Sequence, residues 1–252
     1  MSILKVNEIR PQSGTTILIP SGHQLSLGGT LLTSNSLPPS QSGHGGKFLQ
    51  SNGTNVIWEN IGPVSIQTFT SSGTWTKGAG VTKILVRIVG GGGSGSGVGE
   101  NGGAGGFAEK FIDVTGITSV SVVVGQGSTA STYYANTAGQ GTSSSFGSFV
   151  TCTAGRGGNQ SHQHCGGLPG LGSGGDLNIY GGGGSGHMYW SGPPGGSSFY
   201  GGGGATGHPQ GGDYAYNHSS HAPFGAGGSA GYHTERRGGN GQNGVVVVYS
   251  FK

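Results

Sequence analysis

The sequence predicts an all-β chain that carries polyglycine II segments and almost no α-helix, and three observations predict it. Glycine accounts for 61 of the 252 residues, against an ordinary share of roughly 7%. The apolar residues collect in short runs of period two, such as Ile84, Val86 and Ile88 alternating with Lys83, Leu85 and Arg87, the spacing of a half-buried strand. The chain closes on one more such run, Val245 to Phe251, which needs earlier strands as partners. The chain is expected to divide into a segment of short strands over residues 1–36, a small unit over 37–63 and a glycine-rich domain over 64–252. Within that domain a β base, 64–125 with 245–252, is expected to carry an inserted glycine-rich helix bundle, 126–244.

In the first segment the β-type runs Ile3 to Ile9, Thr15 to Pro20 and Leu25 to Thr33 are separated by Ser13-Gly14, Ser21-Gly22 and Gly28-Gly29. None is long or apolar enough to make a core alone, and strands this short bury their faces against copies of themselves, which predicts an intertwined trimer. Leu37-Pro38-Pro39 ends that pattern. Next, Lys47 to Ser51 and Val56 to Trp58 flank Asn52-Gly53, a strong hairpin signal because both residues tolerate positive φ; the two strands are expected to bring Phe48 and Trp58 together. From Val64 onward, Ile66 to Thr70, Gly73 to Thr76, Val81 to Val89, Phe107 to Val114 and Val120 to Val124 read as strands of one β domain.

Glycine clusters then recur at irregular intervals, among them Gly90 to Gly93, Gly102 to Gly106, Gly181 to Gly184 and Gly201 to Gly204. The absence of a strict Gly-X-Y repeat excludes collagen. A flexible linker is the compositional default for such tracts, but bulky aromatics alternate with the clusters and the chain returns to a strand. The ordered alternative is a bundle of polyglycine helices. With about three residues per turn and no internal hydrogen bonds, each helix turns its N–H and C=O groups outward. Neighbouring helices pair with those groups only where no side chain intervenes, so glycine is required on every packed face.

The net charge of +3 comes with 11 basic residues scattered along the chain, which predicts neither a nucleic-acid partner nor an anionic-membrane surface. Two cysteines, Cys152 and Cys165, make no disulfide framework and no zinc site, though a single bridge stays open. Residues Met1 to Val6 have no apolar stretch of secretion-signal length, and no segment approaches a membrane span. Neither insertion in a membrane nor a cofactor is therefore expected. The accidental Gly-x-Gly spacings lack a following Gly-Lys-Ser/Thr. His162 and His164 point the same way on an extended segment and would meet on a trimer axis, but a polar loop is the simpler reading of His162-Gln163-His164.

Three sets of residues carry a family resemblance. Lys5-Val6-Asn7-Glu8-Ile9 with Ser13-Gly14-Thr15-Thr16-Ile17 and Gly28-Gly29-Thr30-Leu31 is similar to the N-terminal stretch of phage tail-fibre proteins. Gly46 to Thr54 closing on Val56-Ile57-Trp58 resembles the small collar that precedes their head domain. Gly73-Thr74-Trp75-Thr76, Val86 to Gly93, Gly141 to Gly147 and Asn243 to Val248 resemble the glycine-rich domain of those fibres. More loosely, the chain is similar to distal adhesins of long tail fibres, in which polyglycine helices hold variable loops against the host receptor. The resemblance implies a virion tail fibre with an N-terminal trimeric β shaft over residues 1–36 and a small collar over 37–63, a homotrimer attached through its N-terminal region to other tail proteins, that binds a bacterial surface glycan or outer-membrane protein.

On that reading the residues between glycine clusters are the receptor-binding tips: Tyr180; His187, Tyr189 and Trp190; Phe199 and Tyr200; Tyr214, Tyr216 and His218; Phe224; and Tyr232. Aromatic faces beside Asn, Asp or His suit sugar rings, with their apolar C–H face and hydroxyl rim, and suit protein loops as well. Any single ring fits equally as a lid over flat glycine; the cluster carries the argument. No enzymatic activity is expected. A polysaccharide depolymerase needs two carboxylates in a cleft, and only Glu100, Asp176, Asp213 and Glu235 fall in the glycine-rich segments. A purely structural fibre component is the other alternative.

Overall fold

Alternation in Lys83–Val89 puts Ile84, Val86 and Ile88 on one face, and in a computed structural model of the chain all three are buried in a β core. The structure describes residues 26–27, 30–31, 42, 44–51, 53–60, 62–97, 99–130, 138–158, 165–186, 194–204, 222–231 and 238–252. Among these no helix occurs and every strand pairing is antiparallel, so the fold is all-β. The chain divides into two compact units, Met1–Gly62 and Pro63–Lys252.

In the first unit, β1 (Ser26–Leu27) and β2 (Thr30–Leu31) pair across Gly28-Gly29. The predicted runs Ile3 to Ile9 and Thr15 to Pro20 lie outside the described residues. β3 (Lys47–Ser51) and β4 (Val56–Asn60) form the predicted hairpin, with Gly53 at φ 87° in the turn. The register corrects one expectation: Leu49, not Phe48, lies opposite Trp58, so Phe48 belongs to the other face of the pair. The ring stacked on Trp58 is His44, with centroids 5.7 Å apart.

The second unit is built on two five-stranded sheets. One has the order β13 (Leu177–Ile179), β8 (Phe107–Asp113), β7 (Lys83–Val89), β14 (Val245–Phe251), β5 (Ser65–Phe69); we call it the first sheet. The second sheet has the order β12 (Gly172–Ser173), β11 (Val150–Cys152), β10 (Ser144–Phe146), β9 (Ser119–Val123), β6 (Gly73–Thr76). Their facing sides share one core, in which Ile84, Val86, Ile88, Val246 and Val248 of the first sheet meet Trp75, Val122, Phe146 and Val150 of the second. The closing strand β14 pairs with both β7 and β5, which brings the start and finish of the unit together.

Above the sheets the strands continue as glycine rods. β7 runs into 90–96 and 100–106 returns into β8; β9 runs into 125–130 and 138–142 returns into β10; β11 runs into 153–158 and 166–170 returns towards β12. β13 runs into 181–186, and 238–244 returns into β14. This alternation differs from the expected division into a base and one inserted bundle. The two central rods fall inside 64–125, and four short strands, β10 to β13, fall inside 126–244. Those strands are two or three residues long, too short for a period to register.

Hydrogen bonding defines the rods. Gly91, Gly92 and Gly93 donate their N–H groups to Thr142, Gln242 and Gly103; Ser94, Gly95 and Ser96 then donate to Gly139, Gly239 and Glu100. The same neighbour returns every third residue, which is the period of polyglycine II. Rod 90–96 also accepts from Ser128, from Gly155 and Gly158, and from Gly228 and Gly231. It is therefore bonded to six segments, 100–106, 138–142, 238–244, 125–130, 153–158 and 225–231, as in a hexagonal lattice. Rod 100–106 is likewise surrounded: it donates to 181–186, 225–231 and 153–158 and accepts from 90–96, 166–170 and 194–197. A Cβ added at Gly93, Gly103, Gly155 or Gly227 would lie under 3.0 Å from a neighbouring carbonyl, so glycine at these positions is dictated by the close approach of backbones.

Candidate functional site

The lattice has two ends, and only one is occupied by the sheets. At the other, Ser94 bonds Gly139 and Gly158, Gly95 bonds Gly239, Ser96 bonds Gly231, and Asn101 bonds Ser185 and accepts Gly167. The rod ends at 130 and 138, 158 and 165, 186 and 194, and 231 and 238 all fall in or beside this layer. The residues that join them in sequence, 131–137, 159–164, 187–193 and 232–237, lie outside the described residues. Segment 205–221, also outside them, joins rod 202–204 in sequence to 222–225, where Pro223 adjoins Gly201.

Polar side chains fix the layer from within. Glu100 is 0% exposed, and its carboxylate accepts a 2.6 Å hydrogen bond from the Ser96 hydroxyl, which in turn accepts from the Glu100 N–H. The Asn101 amide donates to the Ser185 carbonyl and hydroxyl, while its Oδ1 accepts from the Ala230 N–H. Asn240 Oδ1 accepts from the Ala130 N–H. These groups take the places that glycine backbone fills elsewhere and so lock the register of the rods at the end where they turn. A buried polar atom deprived of its partner costs about 1–3 kcal/mol.

Of the receptor-binding tips named from sequence, four fall among the described residues, and none of these four is at that far layer. Tyr180 follows β13, is bridged to Leu171 and is strongly exposed. Phe199 and Tyr200 sit in the turn closed by Ser198 and Gly201, with Phe199 stacked on Phe107 at 3.6 Å and set edge-on to Tyr200. Phe224 lies in the turn before Gly225, whose backbone abuts Val89. Phe107 and Val89 oppose each other in β8 and β7, so these two turns roof the upper row of the first sheet. Burial raises the Tyr200 phenol, with further contributions from Tyr249 and Glu109, opposed by Arg87. Arg87 is ion-paired with Glu109 and lies 5.4 Å from the Tyr249 ring centroid; its hydrogen bond to Glu109 raises its pKa. The structure thus lays Phe199 as a lid on Phe107 with Tyr200 beside it, and leaves Phe224 exposed in the neighbouring turn. His187, Tyr189, Trp190, Tyr214, Tyr216, His218 and Tyr232, like His162 and His164, lie outside the described residues.

The acids are placed as clearly. Glu100 is enclosed in the lattice, and Asp176 accepts the Phe111 N–H at 2.8 Å while lying near Lys110; Asp213 and Glu235 lie outside the described residues. Neither cysteine is in a disulfide. Cys152 is buried in the core, where desolvation pushes its thiol up to about 12, and Cys165 is exposed. Only a thiolate reacts readily, so a maleimide at pH 7 is expected to add once to the native chain, at Cys165. A second addition is expected only after unfolding, as read by intact mass.

Strands that continue into a hexagonal lattice of glycine rods define a class of protein, a β-based glycine-rich domain. The chain belongs to the glycine-rich domain family, whose profile matches residues 65–250. No curated protein matches the sequence.

Proposed function

We propose that this chain is the distal protein of a bacteriophage tail fibre, a homotrimer that binds a bacterial surface glycan or outer-membrane protein and performs no catalysis. The observation that carries the proposal is the sidedness of the lattice: the rod ends at 130 and 138, 158 and 165, 186 and 194, and 231 and 238 lie in one layer remote from the sheets, and the stretches of sequence that join those ends hold rings and histidines. Segment 187–193 contains His187, Tyr189 and Trp190, and 232–237 contains Tyr232. Connectivity adds two residues that sequence reading passed over, Tyr133 and Tyr134, because 131–137 also joins rod ends in that layer. Their signal was available in the sequence, as an aromatic pair between Gly127 and Gly139. Tyr214, Tyr216 and His218 belong to 205–221, the longest insertion. A rigid scaffold that holds variable aromatic loops is a familiar solution for recognition.

The enclosed Glu100 and the Asp176 carboxylate, which accepts the Phe111 N–H and lies near Lys110, make no carboxylate pair of the kind glycan cleavage needs. The reading also places the N-terminal region against other tail proteins. Purified full chain is expected to coat host cells and block adsorption of the phage that carries it, without releasing reducing ends from host polysaccharide. Absence of binding would overturn the receptor reading, and sustained release would replace it with a depolymerase.

A further inference from the structure

Asparagine stands directly before glycine four times in the chain, at 52–53, 101–102, 240–241 and 243–244. Three of these pairs lie in the lattice, and all three make the same contact. Asn101 Oδ1 accepts the Ala230 N–H while the Gly102 N–H donates to the Gly228 carbonyl. Asn240 Oδ1 accepts from Ala130 while Gly241 donates to Ser128, and Asn243 Oδ1 accepts from Gly127 while Gly244 donates to Gly125. Each pair thus grips one neighbouring rod at two backbone groups that lie two residues apart. Asn240 and Asn243, one polyglycine turn apart, hold rod 125–130 at points that are again one turn apart.

Packing accounts for both members of the pair. A Cβ at Gly102, Gly241 or Gly244 would lie 2.1, 2.1 or 2.2 Å from the carbonyl oxygen of Gly93, Gly92 or Val89, so only glycine fits. Asparagine supplies an acceptor to the facing N–H, as a rod carbonyl does elsewhere in the lattice.

The combination is chemically labile. When the glycine amide gives its proton to water, its nitrogen attacks the asparagine Cγ, unhindered by a side chain. The N–Cγ bond forms, the Cγ–Nδ2 bond breaks, and ammonia leaves behind a succinimide ring. Water then opens the ring at either carbonyl, to aspartate or to isoaspartate. In the lattice both reactants are tied: the glycine proton sits on a carbonyl, and the carboxamide oxygen is bonded to a different backbone group. Release of such a proton requires local opening.

We propose that the lattice keeps Asn101, Asn240 and Asn243 from deamidating, and that opening it turns them into modification sites whose reaction bars its return. Isoaspartate carries the main chain through the side-chain carboxyl, which adds a backbone carbon and breaks the three-residue period. At Asn101 either product also sets a carboxylate against the Ser185 carbonyl, where an amide donor stood. Unfolding followed by covalent change is irreversible. The inference does not depend on what the chain binds.

The full chain is incubated at mildly alkaline pH, native and in denaturant, and each site is read by peptide mapping that separates aspartate from isoaspartate. Asn243 is decisive because it is exposed, so that the clamp and not burial must protect it. All three lattice sites are expected to react at least about 100-fold more slowly in the native chain, the suppression set by an opening equilibrium of about one part in a hundred. Ala130→Pro removes the N–H that Asn240 accepts; it should speed reaction at Asn240 in the folded chain and leave Asn243 as it was. In chains returned from denaturant after increasing times, isoaspartate at the three lattice sites is expected only in the fraction that fails to refold. At Asn52, which belongs to the other unit, it is expected in both fractions. Native Asn243 reacting as fast as in denaturant, or refolded chains that carry isoaspartate at the lattice sites as often as unrefolded ones, would overturn the proposal. So would a folded Ala130→Pro chain with an unchanged rate at Asn240. If that variant does not fold, the wild-type rate at Asn243 and the refolding partition decide.

Discussion

Alanine at Gly93 or Gly103 is expected to destabilise the glycine-rich domain severely, whereas alanine at Gly183 or Gly202 is expected to leave it intact. All four positions are glycine in glycine-rich runs, and composition does not distinguish them. Geometry does. A Cβ at Gly93 would run into the Arg156 carbonyl and one at Gly103 into those of Leu168 and Gly167, in each case under 3.0 Å from backbone. Both residues belong to rods bonded on six sides, so movement away from one neighbour is movement into another. Overpacking of a rigid interior costs about 1–3 kcal/mol, occasionally more. Separating the rods also breaks backbone hydrogen bonds, Gly93 to Gly103 among them, at about 1 kcal/mol each. In a domain of this size a loss near 4 kcal/mol lowers the melting temperature by roughly 10 °C. At Gly202 nothing lies within 4 Å, at Gly183 the nearest atoms are 3.8 Å away, and neither backbone is in the left-handed region. There alanine restricts the unfolded chain and adds about 0.4–1 kcal/mol. Thermal melts of the four variants test the lattice directly; equal losses at all four would show that its packing is not as described.

The contrast also shows how far the sequence was legible. Period-two runs located β7, β9 and β14, because those strands are long enough for alternation to register and bury one face each, as Ile84, Val86 and Ile88 do. The need for glycine wherever rods touch followed from elementary hydrogen-bond accounting. Neither argument could say which glycines sit at the centre. That depends on pairings such as Gly102 with Gly228 or Gly105 with Gly225, which join residues more than a hundred positions apart and leave no local trace. Aromatic residues were misleading for a related reason. Phe199 looks like a loop tip because glycine and serine surround it, yet its ring lies flat on Phe107. Tyr133 and Tyr134 stood in the sequence as an aromatic pair between glycines, but only the lattice shows that the rod ends they join, 130 and 138, lie in the layer remote from the sheets.

That distinction decides how receptor binding must be tested. Exchange of the whole stretch 176–224 for that of a related fibre removes β13 and rods 181–186, 194–197 and 202–204. Ala104 then loses its acceptor at Gly182, and Gly102 loses the N–H of Gly196. Lost adsorption in such a chimera would report a broken lattice. The informative exchange spares every rod and replaces only 187–193, 205–221 and 232–237. Those segments hold His187, Tyr189, Trp190, Tyr214, Tyr216, His218 and Tyr232. Removal of a few aromatic anchors from an interface costs about 2 kcal/mol or more apiece. Cell binding is therefore expected to fall at least about 100-fold, or to move to the donor's host, with the melting temperature and oligomer mass unchanged. In contrast, Phe199→Ala with Tyr200→Ala, which strips the lid from Phe107, is expected to lower stability and to leave adsorption of the remaining folded protein as it was. If the loop exchange leaves host binding intact while the lid variant abolishes it, the recognition surface is the flank of the sheet and not the open end of the lattice.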